Sequence, residues 1–123
     1  MALNLNEFKR FEKQIILKKI GISGQKKIKK AKVLIIGVGG LGCPLLSYLA
    51  STGISNIGIV DHDKIELGNL NRQILFDTSD LGKYKVSQAK IKIMLPDWWQ
   101  TATHTHNLMP IRVRKRKKMI VRG

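Results

Sequence analysis

The glycines Gly37, Gly39 and Gly42, followed by Asp61 24 positions after the first, are the residues whose types and spacing suggest chemistry most directly. Gly37-Val38-Gly39-Gly40-Leu41-Gly42 fits the pattern G-x-G-x-x-G. Gly37 permits a tight turn, Gly39 lets backbone amides approach a phosphate with no Cβ in the way, and Gly42 allows a helix to pack closely on a strand. The helix that follows presents free N–H groups and a partial positive charge to an anion. Asp61 stands where an acid can accept hydrogen bonds from a ribose. Beyond it, the runs Asp61-His62-Asp63, Glu66 to Gln73 and Asp80 to Lys85 gather amides, Arg72 and Lys85. Arginine offers phosphate oxygens a planar fork, and lysine a mobile point charge. Fixed cations in a water-poor site lower the barrier to joining two anions more than exposed ones do. These residues predict nucleotide binding, and at this level an NAD-binding oxidoreductase module and an ATP-using enzyme both remain open. The plain alternatives are a turn that only packs, an Arg72 in a structural ion pair and a Lys85 that is one solvated lysine among many.

The elements that must position these residues are legible in the periodicity. Val33-Leu34-Ile35-Ile36 is a continuous apolar run, predicting a buried parallel strand that ends at Gly37. Leu41, Leu45 and Leu49 recur at helical spacing, with Leu46 and Tyr48 broadening the apolar face. Pro44 falls in the first turn, where it is tolerated, and Gly53 is the expected terminator. Ile57 to Val60 predicts a second strand, completing a βαβ unit in about thirty residues. Upstream, Asn6 is the expected cap of a short helix carrying Phe8 and Phe11, and Ser23 the opening of a lysine-rich helix carrying Ile28. Downstream, Asp61 to Asp80 is a long polar connection of a length that is usually functional. From Lys83, the residues Val86, Ala89, Lys90 and Ile93 fit a helix that Pro96 ends. The fold class is α/β: a Rossmann-like parallel sheet with flanking helices, expected to be incomplete in this chain.

Composition bounds the rest. A chain of 123 residues holds one domain, and no apolar run approaches the length of a bilayer span. Met1 to Arg10 lacks the apolar stretch of a signal peptide, and Cys43 as the sole cysteine excludes an internal disulfide; both favour the cytoplasm. The formal charge of +15 attracts nucleotides, nucleic acid or an acidic protein without choosing among them. Residues 97–123 change character, with Trp98-Trp99, His104-Thr105-His106 and the basic run Arg112 to Lys118. A solvated, disordered tail is the expectation there, since no aromatic residues interleave the basic run for base stacking, and nucleic acid is disfavoured as a partner. Two histidines without a third or fourth ligand are a poor metal site, so no metal ligand is assigned.

Taken in order, Arg10-Phe11, Gln14-Ile15-Ile16-Leu17, Gly24-Gln25, Gly37 to Cys43, Asp61-His62-Asp63, Asn69-Leu70-Asn71-Arg72-Gln73, and Gly82 with Lys85 are similar to successive signatures of the ThiF/MoeB/HesA family, relatives of the ubiquitin-activating enzymes. The resemblance runs from about Arg10 to about Ile93. It divides the chain into residues 1–96, the N-terminal part of a nucleotide-binding domain, and a divergent tail, 97–123. It implies ATP as cosubstrate and adenylation of the C-terminal Gly-Gly carboxylate of a ubiquitin-like sulfur-carrier protein, in thiamine, molybdopterin or related sulfur chemistry. By position, Gly40 would contact the nucleotide through its backbone and Asp61 would hold the ribose. Asn69 and Arg72 would contact the triphosphate, and Lys85 would neutralise its charge. The resemblance further implies a homodimer in which the segment around position 13 takes part.

The chain departs from the family's pattern in several places. Lys13 stands where Arg is common, keeping the charge and losing the fork. Gly68 replaces a usual Ser, and Tyr84 a frequent Pro. The family's later Asp, which binds magnesium, has no match after Ile93, nor is there a C-x-x-C pair or a later cysteine. Cys43 is expected to be buried as a small apolar residue rather than to act as a nucleophile. A truncated or frame-shifted sequence from about residue 94 is therefore expected, and a non-catalytic nucleotide-binding fragment is a third functional possibility.

Overall fold

In the computed structural model, which describes residues 2–94, three short helices precede a βαβ unit and a final helix. The order is α1 (Leu5–Arg10), α2 (Glu12–Ile15), α3 (Gly21–Lys30), β1 (Lys32–Ile36), α4 (Gly42–Ser51), β2 (Asn56–Val60) and α5 (Lys85–Met94). Two 3-10 turns, Leu67–Asn69 and Thr78–Asp80, break the connection from β2 to α5. The two strands pair in parallel with Val33 opposite Ile57 and Ile35 opposite Ile59. Alternation turns Ile35, Ile57 and Ile59 to one face, where they meet Cys43, Leu46 and Ala50 of α4 and Val86, Ala89 and Ile93 of α5. Each such buried aliphatic side chain contributes roughly 1.5–3 kcal/mol. The opposite face carries Leu34 and Ile36, both exposed, so β1 is buried on one face only, whereas its continuous apolar run predicted burial on both. Parallel sheets are ordinarily covered on both faces, so the described residues form one covered side of a Rossmann-like α/β sheet.

Local placement differs from the expectations at four points. Asn4, not Asn6, caps α1: its side chain accepts from the Glu7 amide while Glu7 accepts from the Asn4 amide, both at 2.8 Å. Helix α3 starts at Gly21 rather than Ser23, with φ +58 at that glycine. Helix α4 buries Cys43, Leu46 and Ala50, whereas Leu41, Leu45 and Tyr48 of the expected apolar stripe are exposed. Leu41 and Leu45 line a cleft together with Leu34 and Ile36 of β1. Finally, the β2–α5 connection is packed rather than featureless: it buries Ile65 and Phe76 in the core and bridges Lys64 to Tyr84 in an antiparallel pair.

The N-terminal helices hold α4 by its far end. Gln14 and Gln25 both donate to the carbonyl of Thr52, at 3.0 and 2.9 Å, and Gln14 also donates to Gln25. Gly53 has φ +98, and a Cβ there would stand 2.9 Å from the Phe11 ring. An ion pair between the half-buried Lys29 and the buried Glu7, at 2.7 Å, joins α3 to α1. With its C-terminal end fixed, α4 presents its N-terminus at the end of β1, where the glycine turn lies.

Candidate functional site

The turn is closed by contacts that only glycine permits at two of its positions. Gly37 adopts φ +93, which L side chains rarely do. A Cβ on Gly42 would lie 2.0 Å from the Gly37 carbonyl oxygen, so the first residue of α4 is seated directly on the end of β1. Gly39 differs: the nearest atom to a Cβ there is Gln73 Nε2 at 3.9 Å, an ordinary contact. Gly39 nonetheless borders open volume, since it lines a cleft at the end of β1. The Val38 amide donates to Asp61 Oδ2 at 2.7 Å, tying the turn to the end of β2. The other Asp61 oxygen accepts from the Asp63 amide at 2.8 Å. A carboxylate offers about four acceptor positions, so Asp61 retains capacity for a hydroxyl.

The polar connection folds back over the turn. Arg72 lays its stem on Gly40, with Cγ and Cδ each 3.5 Å from where a Cβ would stand, and Gln73 borders Gly39. The Arg72 guanidinium is exposed and donates to the Gly68 carbonyl and to Asn71 Oδ1, at 2.9 and 3.1 Å. No carboxylate pairs with it among the described residues. Asn69 organises this loop: its Oδ1 accepts from the Glu66 amide at 3.0 Å, and its carbonyl accepts from the amides of Arg72 and Gln73.

Lys85 opens α5 and is 6% exposed, the one buried lysine among the described residues. Its amide donates to the Asp63 carbonyl at 3.0 Å, and its ammonium stands 3.8 Å from Asp63 Oδ2. Its field also reaches Cys43, beside the turn, lowering a thiol pKa that burial raises more strongly. Cys43 is fully buried, as expected of a small apolar residue. Thus Asp61 and Arg72 touch the glycine turn directly, Asn69 reaches it through its backbone bonds to Arg72 and Gln73, and Lys85 through Asp63, whose amide is bound to Asp61. A cleft of about 470 Å³ opens at the same glycines, lined also by Leu34, Ile36, Leu41 and Leu45. Neither Arg72 nor Lys85 lines that cleft.

Two residues given no role from sequence belong to this corner. Asp63 orients Lys85, and Gln73 covers Gly39; both depend on long-range packing that no spacing rule reports. Asp61, His62 and Asp63 bring three potential metal-binding groups within 4.8 Å of one another. They do not fit the magnesium the resemblance implies. Both Asp61 oxygens accept backbone amides, and Asp63 is committed to Lys85 and His62. The tail 97–123, with His104 and His106, lies outside the described residues.

A profile of the ThiF family matches residues 11–110, reaching past Ile93. The adenylyltransferase and sulfurtransferase MOCS3 of Culex quinquefasciatus is 52% identical over 88 residues, covering 72% of this chain and 20% of that protein. The adenylyltransferase and sulfurtransferase UBA4 of Vanderwaltozyma polyspora is 49% identical over 96 residues, covering 77% and 22%. Among solved structures, PaaA superposes with a TM-score of 0.68 at 37% identity, covering 76% of this chain and 31% of PaaA. Escherichia coli MccB crystallised with ATP gives 0.56 at 44% identity, covering 57% and 21%. The chain thus spans about a fifth of the length of the curated relatives it matches.

Proposed function

Because this chain belongs to the ThiF family, we propose that it forms the ATP-binding part of an adenylyltransferase that activates the C-terminal Gly-Gly carboxylate of a ubiquitin-like sulfur-carrier protein. The observation that carries this reading is the loop laid over the glycine turn, with Arg72 against Gly40 and a cleft opening at Gly39 and Gly40. Cations at that corner suit a dinucleotide's pyrophosphate too, and it is the ThiF family match that leaves the NAD reading not favoured. The relatives named as adenylyltransferases and the relative crystallised with ATP support the same choice.

In this reading, the amides at Gly39 and Gly40 and the N-terminus of α4 hold the phosphates, and Asp61 accepts from a ribose hydroxyl. A carboxylate oxygen of the carrier attacks the α-phosphorus, the bond to the bridging oxygen breaks, and pyrophosphate leaves. Two anions must meet, so the barrier is electrostatic. Arg72 carries a guanidinium with no carboxylate partner among the described residues, able to swing from the Gly68 carbonyl to a phosphate. Lys85 is held nearly dry, where a charge acts over a longer range than in water. The reading includes a homodimer, with the exposed Lys13 segment of α2 toward the partner.

Titration of the full chain with ATP and, separately, NAD tests the first half. Binding of ATP and not NAD is expected, and binding of NAD alone overturns the reading. Pyrophosphate exchange in the presence of a Gly-Gly-terminated carrier tests the second half. ATP binding without exchange would replace the enzyme by a non-catalytic nucleotide-binding fragment.

A further inference from the structure

Gln73 holds the one fully buried side-chain polar atom without a hydrogen-bond partner among the described residues, its Oε1. The residue is 3% exposed and pinned on both sides. Its amide donates to the Asn69 carbonyl at 2.9 Å, and its carbonyl accepts from the amide of Phe76, a core residue, at 3.1 Å. With the backbone held, the carboxamide is directed rather than free. Its oxygen lies inward and its nitrogen lies toward Gly39, 3.9 Å from the position of a Cβ there. Arg72 and Gln73 thus cover Gly40 and Gly39, consecutive residues against consecutive glycines.

A buried carbonyl oxygen without a partner is a standing cost that an apolar side chain of similar volume would remove. A carboxamide is bipolar, however, and one oriented oxygen-inward presents its two N–H donors outward. Those donors stand in ordinary contact distance of Gly39, a residue that lines the cleft at the glycine turn. The geometry points to Gln73 as a further nucleotide-contacting residue, whose Nε2–H donates to a phosphate oxygen bound over Gly39. This rests on the ATP reading and deepens it. An amide suits the place: a carboxylate would repel the phosphate, and an ammonium would leave a third cation poorly hydrated beside Arg72 and Lys85.

The test compares the full chain with its Gln73→Leu and Gln73→Glu variants, in chemical denaturation without ligand and in titrations with ATP and with adenosine. Gln73→Leu is expected to be at least as stable as the parent without ligand, yet to bind ATP roughly tenfold or more weakly, with adenosine affinity unchanged. Gln73→Glu is expected to lose more ATP affinity than Gln73→Leu while also sparing adenosine. Unchanged ATP affinity in Gln73→Leu overturns the assignment. So does a variant that is less stable and weakened equally toward ATP and adenosine, which makes Gln73 a packing residue. Should Gln73→Leu fail to fold, Gln73→Met reads the same contrast. A parent chain that binds no ATP ends both readings, whereas a parent that binds ATP alongside unaffected variants ends only this one.

Discussion

Replacing Gly42 by alanine puts a methyl group where the structure has none to spare. The new Cβ would stand 2.0 Å from the Gly37 carbonyl oxygen and 2.9 Å from its carbon, against 3.4 Å for ordinary contact. The obstacle is backbone, so no rotamer relieves it. Helix α4 or the end of β1 must retreat by about 1.4 Å, the shortfall from ordinary contact. Overpacking of this kind costs roughly 1–3 kcal/mol. The same retreat pulls at the Val38 amide, whose 2.7 Å bond to Asp61 is charge-assisted and worth roughly 1.5–3 kcal/mol. A loss of about 3–5 kcal/mol follows, a large share of the roughly 5–15 kcal/mol that holds a typical domain. Urea denaturation followed by circular dichroism measures it. Gly68→Ala is the control, since a Cβ there meets nothing within 4 Å, and it should stay within about 0.5 kcal/mol of the parent. A Gly42→Ala chain as stable as the Gly68→Ala chain would refute the seating of α4 on β1.

Three further outcomes follow from the same contacts. Lys85→Met keeps the stem and removes the ammonium, and it should weaken ATP binding by about tenfold or more in calorimetric titration; unchanged affinity would remove Lys85 from the site. Asp77 accepts from Lys92 at 2.6 Å, and that bond holds its carboxyl down at about 2 from 3.8. Its contribution is complete above pH 3.8 and is lost as pH falls toward 2, so the gap in melting temperature between the parent and Asp77→Asn should close across that window; a constant gap would contradict the pairing. On the alkaline side Lys92 is raised by the same partner, so the pair there holds until the pH passes above 10.5. Cys43 is fully buried and its thiol pKa is raised, chiefly by desolvation, so it should resist a disulfide reagent in the folded chain and react at once in denaturant; rapid labelling of the folded chain would contradict its burial.

How far the sequence revealed this arrangement depended on the range of the interaction. The strand ending at Gly37, the second strand ending at Asp61 and the glycine turn are local patterns, and each stands where expected. The face of α4 was not legible, because Leu41, Leu45 and Leu49 form as good a stripe as Cys43, Leu46 and Ala50. Which stripe is buried depends on what lies across from the helix, and among the described residues that is β1, β2 and α5 on one side only. Asn4 and Asn6 are equally good caps by type, and the reciprocal bond with Glu7 chooses Asn4. Arg72 and Lys85 could be named from the resemblance, but the burial of Lys85 and its orientation by Asp63 are products of the packed loop. Gln73 carried no periodic signal at all; its meaning comes from a buried oxygen without a partner and a glycine next to its nitrogen.

The central claim is that ATP seats its phosphates on the corner formed by the glycine turn and the loop folded over it. Titrating the isotopically labelled full chain with ATP, and following each backbone amide by NMR, addresses that claim directly. The account predicts the largest saturable shifts at the amides of Gly37 to Gly42, with accompanying shifts at Asp61, Asn69, Arg72 and the Gln73 carboxamide. Saturable binding that leaves those amides unmoved and shifts residues elsewhere would contradict it.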